Sequence, residues 1–251
     1  MFVFVVPFKG RACCSNWSIA TELCNRAICS MLVTPAAVKV VLVCSEPPDR
    51  LPVDPRLIVK SVTRPVPRTH DEMLDDKYFK IKVGLMLARE FAPAWLMRAD
   101  ADDLISQRLV PFVEQQRPYE AWYSETGWIH HYGSRWVIKQ RNFHQVCGTS
   151  CVTYVSASEL PDSMEEPLEN CYLLSQGHNI IVDYLRKSGA PTHAVPFPTT
   201  IYVTDSGENH SGAWLRELRA KRLILRHAVN SRPLTPSIRK EFGLDAASAA
   251  R

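Results

Sequence analysis

Two short apolar runs constrain this chain most: FVFVVPF at Phe2–Phe8 and VKVVLVC at Val38–Cys44, set a helix length apart. A strand with one wet face alternates polar and apolar residues. A near-continuous apolar run predicts a strand covered on both faces. Between the two runs, Ser15 or Asn16 can cap a helix reaching to about Met31, with Trp17, Ala20, Leu23, Cys24, Ala27 and Ile28 along one side. LIVKSV then reads as a short strand, DDKYFKIKVGLMLAREF as an amphipathic helix and AWLMRAD as the strand after it. Alternating strands and helices predict a parallel sheet, in which ligands bind beyond the carboxyl ends of the strands. Those ends carry Pro7-Phe8-Lys9, Ser45-Glu46 and Asp100 to Asp103, which should face one crevice.

With 251 residues, 46% of them hydrophobic, the chain can bury a full core. Its 30 Lys and Arg stand against 26 Asp and Glu, too even a balance for a dedicated nucleic-acid binder. No apolar run approaches the ~18 residues of a membrane-spanning helix. The opening MFVFVVPFKG lacks the basic start of a signal peptide and reads as a strand. Eight cysteines, with one C-x-x-x-C pair at Cys147 and Cys151 and no second pair at zinc-finger spacing, read as free thiols of a cytoplasmic protein.

The second half is different in character. TGWIHHYGSRWVIKQR reads as a hairpin turning at Gly133-Ser134, with Trp136 expected against the core. A strand region lies in CGTSCVTYVS, and a helix is expected over about Ser175 to Ser188, closed by Gly189. Ala213 to about Val229 reads as a basic amphipathic helix. It would suit an anionic membrane surface, a dimer contact or an ordinary packed position.

The end of the fourth strand poses a charge problem. In RADADDLIS, Asp100, Asp102 and Asp103 fall within four residues. Crowded carboxylates raise one another's pKa, and a divalent cation relieves that penalty. Mn²⁺ and Mg²⁺ take oxygen ligands, commonly one or two carboxylates with water and substrate phosphates. Alternate residues at a strand end share a side, so Asp100 and Asp102 can face the same cleft. Asp103 is then either a further metal contact or the cap of a helix in DLISQRLVPFVEQQ.

RADADDLI, preceded by KIKVGLMLARE, resembles the D-x-D region of GT-A glycosyltransferases, above all the inverting family 2 group, and VVPFKGR is similar to their first strand and nucleotide loop. The resemblance covers about residues 2–112. It implies a Rossmann-like α/β/α sandwich with a mostly parallel sheet, a catalytic domain over 1–212 divided at 112, and a helical extension over 213–251. It further implies nucleotide contacts from Pro7, Phe8, Lys9, Arg11, Glu46, Lys80, Lys82, Arg98, Asp100 and Ala101, with Arg98 bracing the carboxylates or forming a structural ion pair. Mn²⁺ or Mg²⁺ would be held by Asp100, Asp102 and His210. The donor would be a UDP-, GDP- or dTDP-sugar, and the acceptor a glycan or lipid-linked glycan.

Inverting members carry an acidic base before a late helix. Here that position reads His178-Asn179, so either a neutral His178 serves, or His178 caps the helix and Asp183, Glu169 or Glu166 serves instead. Trp128 and His130 are candidate sugar contacts, and Gly148-Thr149 resembles the small-residue turn beneath the donor sugar. A sugar-1-phosphate nucleotidyltransferase would use the same sheet but a glycine-rich first loop, where this chain has only Gly10. A non-catalytic nucleotide- or sugar-binding module needs no base at all.

Overall fold

The computed structural model describes residues 1–34, 37–208 and 230–244. The strands are β1 (Phe2–Phe8), β2 (Val38–Cys44), β3 (Leu57–Ser61), β4 (Ala94–Arg98), β5 (Leu104–Ile105), β6 (Ala121–Tyr123), β7 (Thr126–His131), β8 (Trp136–Arg141), β9 (Cys151–Val155), β10 (Thr192–Ala194), β11 (Thr200–Thr204) and β12 (Ser231–Pro233). The α-helices are α1 (Trp17–Leu32), α2 (His70–Ala88), α3 (Leu109–Val113), α4 (Tyr172–Ser175), α5 (Ile181–Lys187) and α6 (Pro236–Glu241).

Seven strands form the main sheet in the order β10-β6-β9-β4-β1-β2-β3, and only β9 runs against the other six. The apolar runs occupy its centre, as their patterning requires. Phe2, Phe4, Val6 and Phe8 of β1 pack with α1 and α3 on one face. Val3 and Val5 pack with α2, α4 and α5 on the other. The chain is therefore an α/β sandwich with a mostly parallel central sheet. A smaller sheet, β12-β8-β7-β11-β5, packs beside it around Leu23, Leu104, Val137 and Ile201. Residues 230–244 belong to it: β12 pairs with β8, and Phe242 and Leu244 are buried in its core.

Local chemistry sets the helix ends. Asn16 caps α1 by accepting from the Ile19 N–H at 3.2 Å. Thr69 and Glu72 form a capping box that starts α2 five residues before the expected Asp75. Gly84 lets α2 lie directly on β1, since a Cβ there would sit 2.4 Å from Val5 Cγ1.

Three expectations fail. The stretch after Asp103 forms β5, which pairs with β11, and only α3 is helical. The late helix starts at Ile181 rather than Ser175, because extended backbone at Gln176 separates α4 from α5. Trp136 is 53% exposed rather than packed on the core. The hairpin itself turns as expected at Gly133, whose φ of +79° suits glycine.

Candidate functional site

The sheet order places β2 on one side of β1 and β4 on the other, while α1 and α2 leave to opposite faces. This reversal opens a crevice at the carboxyl ends of β1 and β4, the usual ligand position in open α/β sheets. Two cavities lie there. The first is lined by Pro7, Phe8 and Lys9 after β1, by Met73, Asp76, Lys77 and Lys80 of α2, and by Asp100, Ala101 and Asp102 after β4. The second is lined by Arg98, Asp100, Gly148, Gly177, His178 and Asn179. Pro7, Lys77, Asp100 and Tyr202 belong to both.

The shared wall is an ion pair, Lys77 Nζ to Asp100 Oδ1 at 2.6 Å. Burial alone would push the Lys77 ammonium down and the Asp100 carboxyl up. Their mutual attraction outweighs it, leaving Lys77 above and Asp100 below its ordinary value. At Asp102 the balance goes the other way: burial, and then the charge of Asp100, push it up to about 7 against the weaker pull of Lys77.

Asp103 is neither metal contact nor cap. It is fully buried, accepts from Thr149 Oγ1 at 2.5 Å and Cys147 Sγ at 3.3 Å, and lies well above its ordinary value through burial and then the nearby Asp102. Thr149 Oγ1 also accepts from the Asp100 N–H at 2.8 Å. Asp103 and Thr149 thus pin the acidic turn to the turn at 147–149. Thr149 is completely buried, so it supports the turn and does not face a sugar. Gly148 lines the second cavity, where a Cβ would meet Asp100 Oδ2 at 3.0 Å.

Several other candidates are displaced. Lys82 donates to Met164 O at 2.9 Å and to Glu166 O, away from both cavities. It follows Lys80 by about 200° around the helix, so the two cannot share a face. Arg98 braces backbone rather than carboxylates, donating to Leu173 O and, at 3.3 Å, to Gln176 O. Glu46 is exposed and accepts from the Arg11 N–H at 3.1 Å, and neither residue lines a cavity. Trp128 lies in the core of the small sheet, and His130 is buried with Nδ1 3.1 Å from Trp136 O. Asp183 is exposed, 3.6 Å from Arg186, and neither Glu166 nor Glu169 lines a cavity. His178 does line one. Its backbone precedes α5 without capping it, and burial holds its imidazole below its ordinary value. His210 and the helix expected over 213–229 lie outside the described residues.

Lys77 and Glu208 are among the cleft residues that escaped the sequence reading. Lys77 could have been found, because Lys77, Lys80 and Gly84 share a helix face and Gly84 marks the face that meets the sheet. Glu208 left no local signal. It is buried, lines the first cavity, and holds Lys9 Nζ at 2.5 Å, the Asn16 N–H at 2.6 Å and the Ser15 N–H at 3.3 Å.

Asp100 and Asp102, at the end of β4, are the two carboxylates that could hold a cation. Among the described residues they gather no third His, Cys, Asp or Glu around one metal position. Two carboxylates still match what Mg²⁺ or Mn²⁺ commonly takes from protein when phosphates and water complete the shell. The upward push on Asp102 is also what an added positive charge would relieve.

No protein-family model and no curated protein matches the chain. Similar solved structures include S. aureus TarS, at 12% identity and TM-score 0.42 over 81% of this chain and 36% of that one. Francisella tularensis 2-C-methyl-D-erythritol 4-phosphate cytidylyltransferase (IspD) is 12% identical at TM-score 0.43, over 83% and 92%. A 4-diphosphocytidyl-2C-methyl-D-erythritol synthase is 12% identical at 0.40, over 86% and 97%. This chain thus spans little more than a third of TarS. At these scores the likeness carries no weight for function, which has to be read from the cleft.

Proposed function

We propose that this chain is a metal-dependent glycosyltransferase of the GT-A type, moving a sugar from a nucleoside-diphosphate sugar to an acceptor hydroxyl in glycan or polysaccharide synthesis, with inversion. The observation that carries this reading is the two-part cleft at the sheet reversal, with the Lys77–Asp100 pair on the wall both parts share. The first cavity suits the nucleotide: Pro7 and Phe8 supply apolar surface, and Lys9 and Lys77 supply positive charge for phosphates. A divalent cation at Asp100 and Asp102 would neutralise the charge that builds on the departing diphosphate. Lys77 reaches Asp100 from the helix side and can share that charge as the sugar–oxygen bond breaks. His178, in the second cavity and held below its ordinary value by burial, is neutral near pH 7. It can take the proton of an incoming hydroxyl.

A nucleotidyltransferase is the second reading, since Lys9 and Lys77 beside Asp100 and Asp102 would equally suit a triphosphate and its cation. One experiment separates them. UDP-, GDP- and dTDP-sugars, and separately nucleoside triphosphates with sugar 1-phosphates, are incubated with Mn²⁺, Mg²⁺ or EDTA. A glycosyltransferase releases nucleoside diphosphate, and a nucleotidyltransferase releases inorganic diphosphate. Activity that survives Asp102→Ala unchanged would overturn the metal assignment. Nucleotide binding without turnover would identify a binding module.

A further inference from the structure

We infer that Asp76 and Lys80 form the nucleobase-reading pair of the first cavity, and that they select a base whose ring N–H lies beside a carbonyl: uracil, thymine or guanine. The inference rests on the proposed nucleotide-dependent function. The two side chains lie one helical turn apart on α2, 2.6 Å from Nζ to Oδ2, and are only 9% and 1% exposed. Both line the first cavity with Phe8 and Cys13, and the charge of Lys80 is felt by Cys44 at the carboxyl end of β2. Neither residue lines the second cavity, where His178 lies.

A buried ion pair is weak evidence for stability, since an apolar pair of similar volume often does as well. This one is also incompletely satisfied. Among the described residues, buried Asp76 Oδ1 has no hydrogen-bond partner. Among the same residues, the three N–H groups of Lys80 make one hydrogen bond, to Asp76 Oδ2. A spare acceptor beside spare donors is the complement of a lactam edge, with N–H toward Asp76 and C=O toward Lys80. Adenine and cytosine offer an amino group beside a ring nitrogen. That amino group is a weaker donor to a carboxylate, and the ring nitrogen a poorer partner for an ammonium than a carbonyl oxygen.

Calorimetric titration of the full chain with UDP, dTDP, GDP, CDP and ADP in Mg²⁺, with inorganic diphosphate as the base-free probe, tests the pair. The wild type should bind the first three at least about tenfold tighter than CDP and ADP, the size of one good hydrogen bond to a charged group. Asp76→Asn should compress that ratio and leave diphosphate binding unchanged. Equal affinities across the five nucleotides overturn the inference and leave the nucleotide reading standing. A uniform loss in Asp76→Asn that includes diphosphate also overturns it, because the pair would then only support the fold. Binding of neither nucleotide nor diphosphate sinks the functional reading, and the inference with it. Should Asp76→Asn fail to fold, the wild-type ratio alone decides.

Discussion

The first cavity is walled by the ends of β1 and β4 and by one face of α2, whereas the cavity around His178 shares α2 and the end of β4 and is closed by turns at 146–148 and 177–179. The difference has consequences for chemistry. Regular elements fix Lys77, Lys80 and Asp100 through hydrogen-bonded backbone and core packing. The turn carrying His178 depends on a few side-chain contacts, chiefly Arg98 donating to Leu173 O and Gln176 O. A nucleotide presents the same phosphates whatever the acceptor, so its half can be rigid. The turns that close the acceptor half can change without disturbing the sheet.

The largest expected effect separates the two halves. His178→Ala should lower turnover by about 10²- to 10⁴-fold, the usual worth of a general base, and leave nucleoside diphosphate affinity unchanged by calorimetry. Wild-type turnover should also fall as pH drops through a value below 6.5, where the imidazole gains its proton. Equal losses of turnover and nucleotide affinity would mean that the two cavities are one functional unit.

Lys77→Met removes the side chain both cavities share. Nucleotide affinity should fall by about ten- to a hundredfold, because Asp100 loses its partner and the phosphates lose a charge-assisted hydrogen bond. An unchanged dissociation constant would confine Lys77 to a structural role.

Gly84→Ala probes how α2 is held. The added methyl meets Val5 at 2.4 Å, so the variant should lose about 1–3 kcal/mol in urea unfolding. Nucleotide affinity should weaken with it, because Lys77 and Lys80 ride on the same helix face.

The smallest effect lies in the small sheet. Burial holds buried His130 below its ordinary 6.5, so its contribution to stability is present above that value and is lost as pH falls through the folded value. His130→Gln keeps a donor for Trp136 O and should melt with a slope against pH flatter by about a degree or two between roughly pH 5 and 7. Nucleotide binding should not change.

The chain's local patterning determined the central strands, α1 and α2, and the carboxylates after β4, because continuous apolar runs and helical periodicity are properties of neighbouring residues. Pro7, Phe8, Lys9, Asp100 and Asp102 reached the cleft for the same reason: each lies at or near an end of an element whose position the pattern specifies. Lys80 reached it from the middle of α2, on the helix face that the pattern turns to the sheet. Lys82, Thr149 and Trp128 depart from expectation in direction, which packing sets. Lys82 lies on the wrong side of its helix, Thr149 is buried beneath the acidic turn, and Trp128 fills a second core. Glu208 reaches Asn16 across 192 positions of chain, and Lys77 finds Asp100 only once α2 has been seated on β1. Such contacts join residues that are remote in sequence. They exist only after the sheet has formed, so only the tertiary structure could decide them.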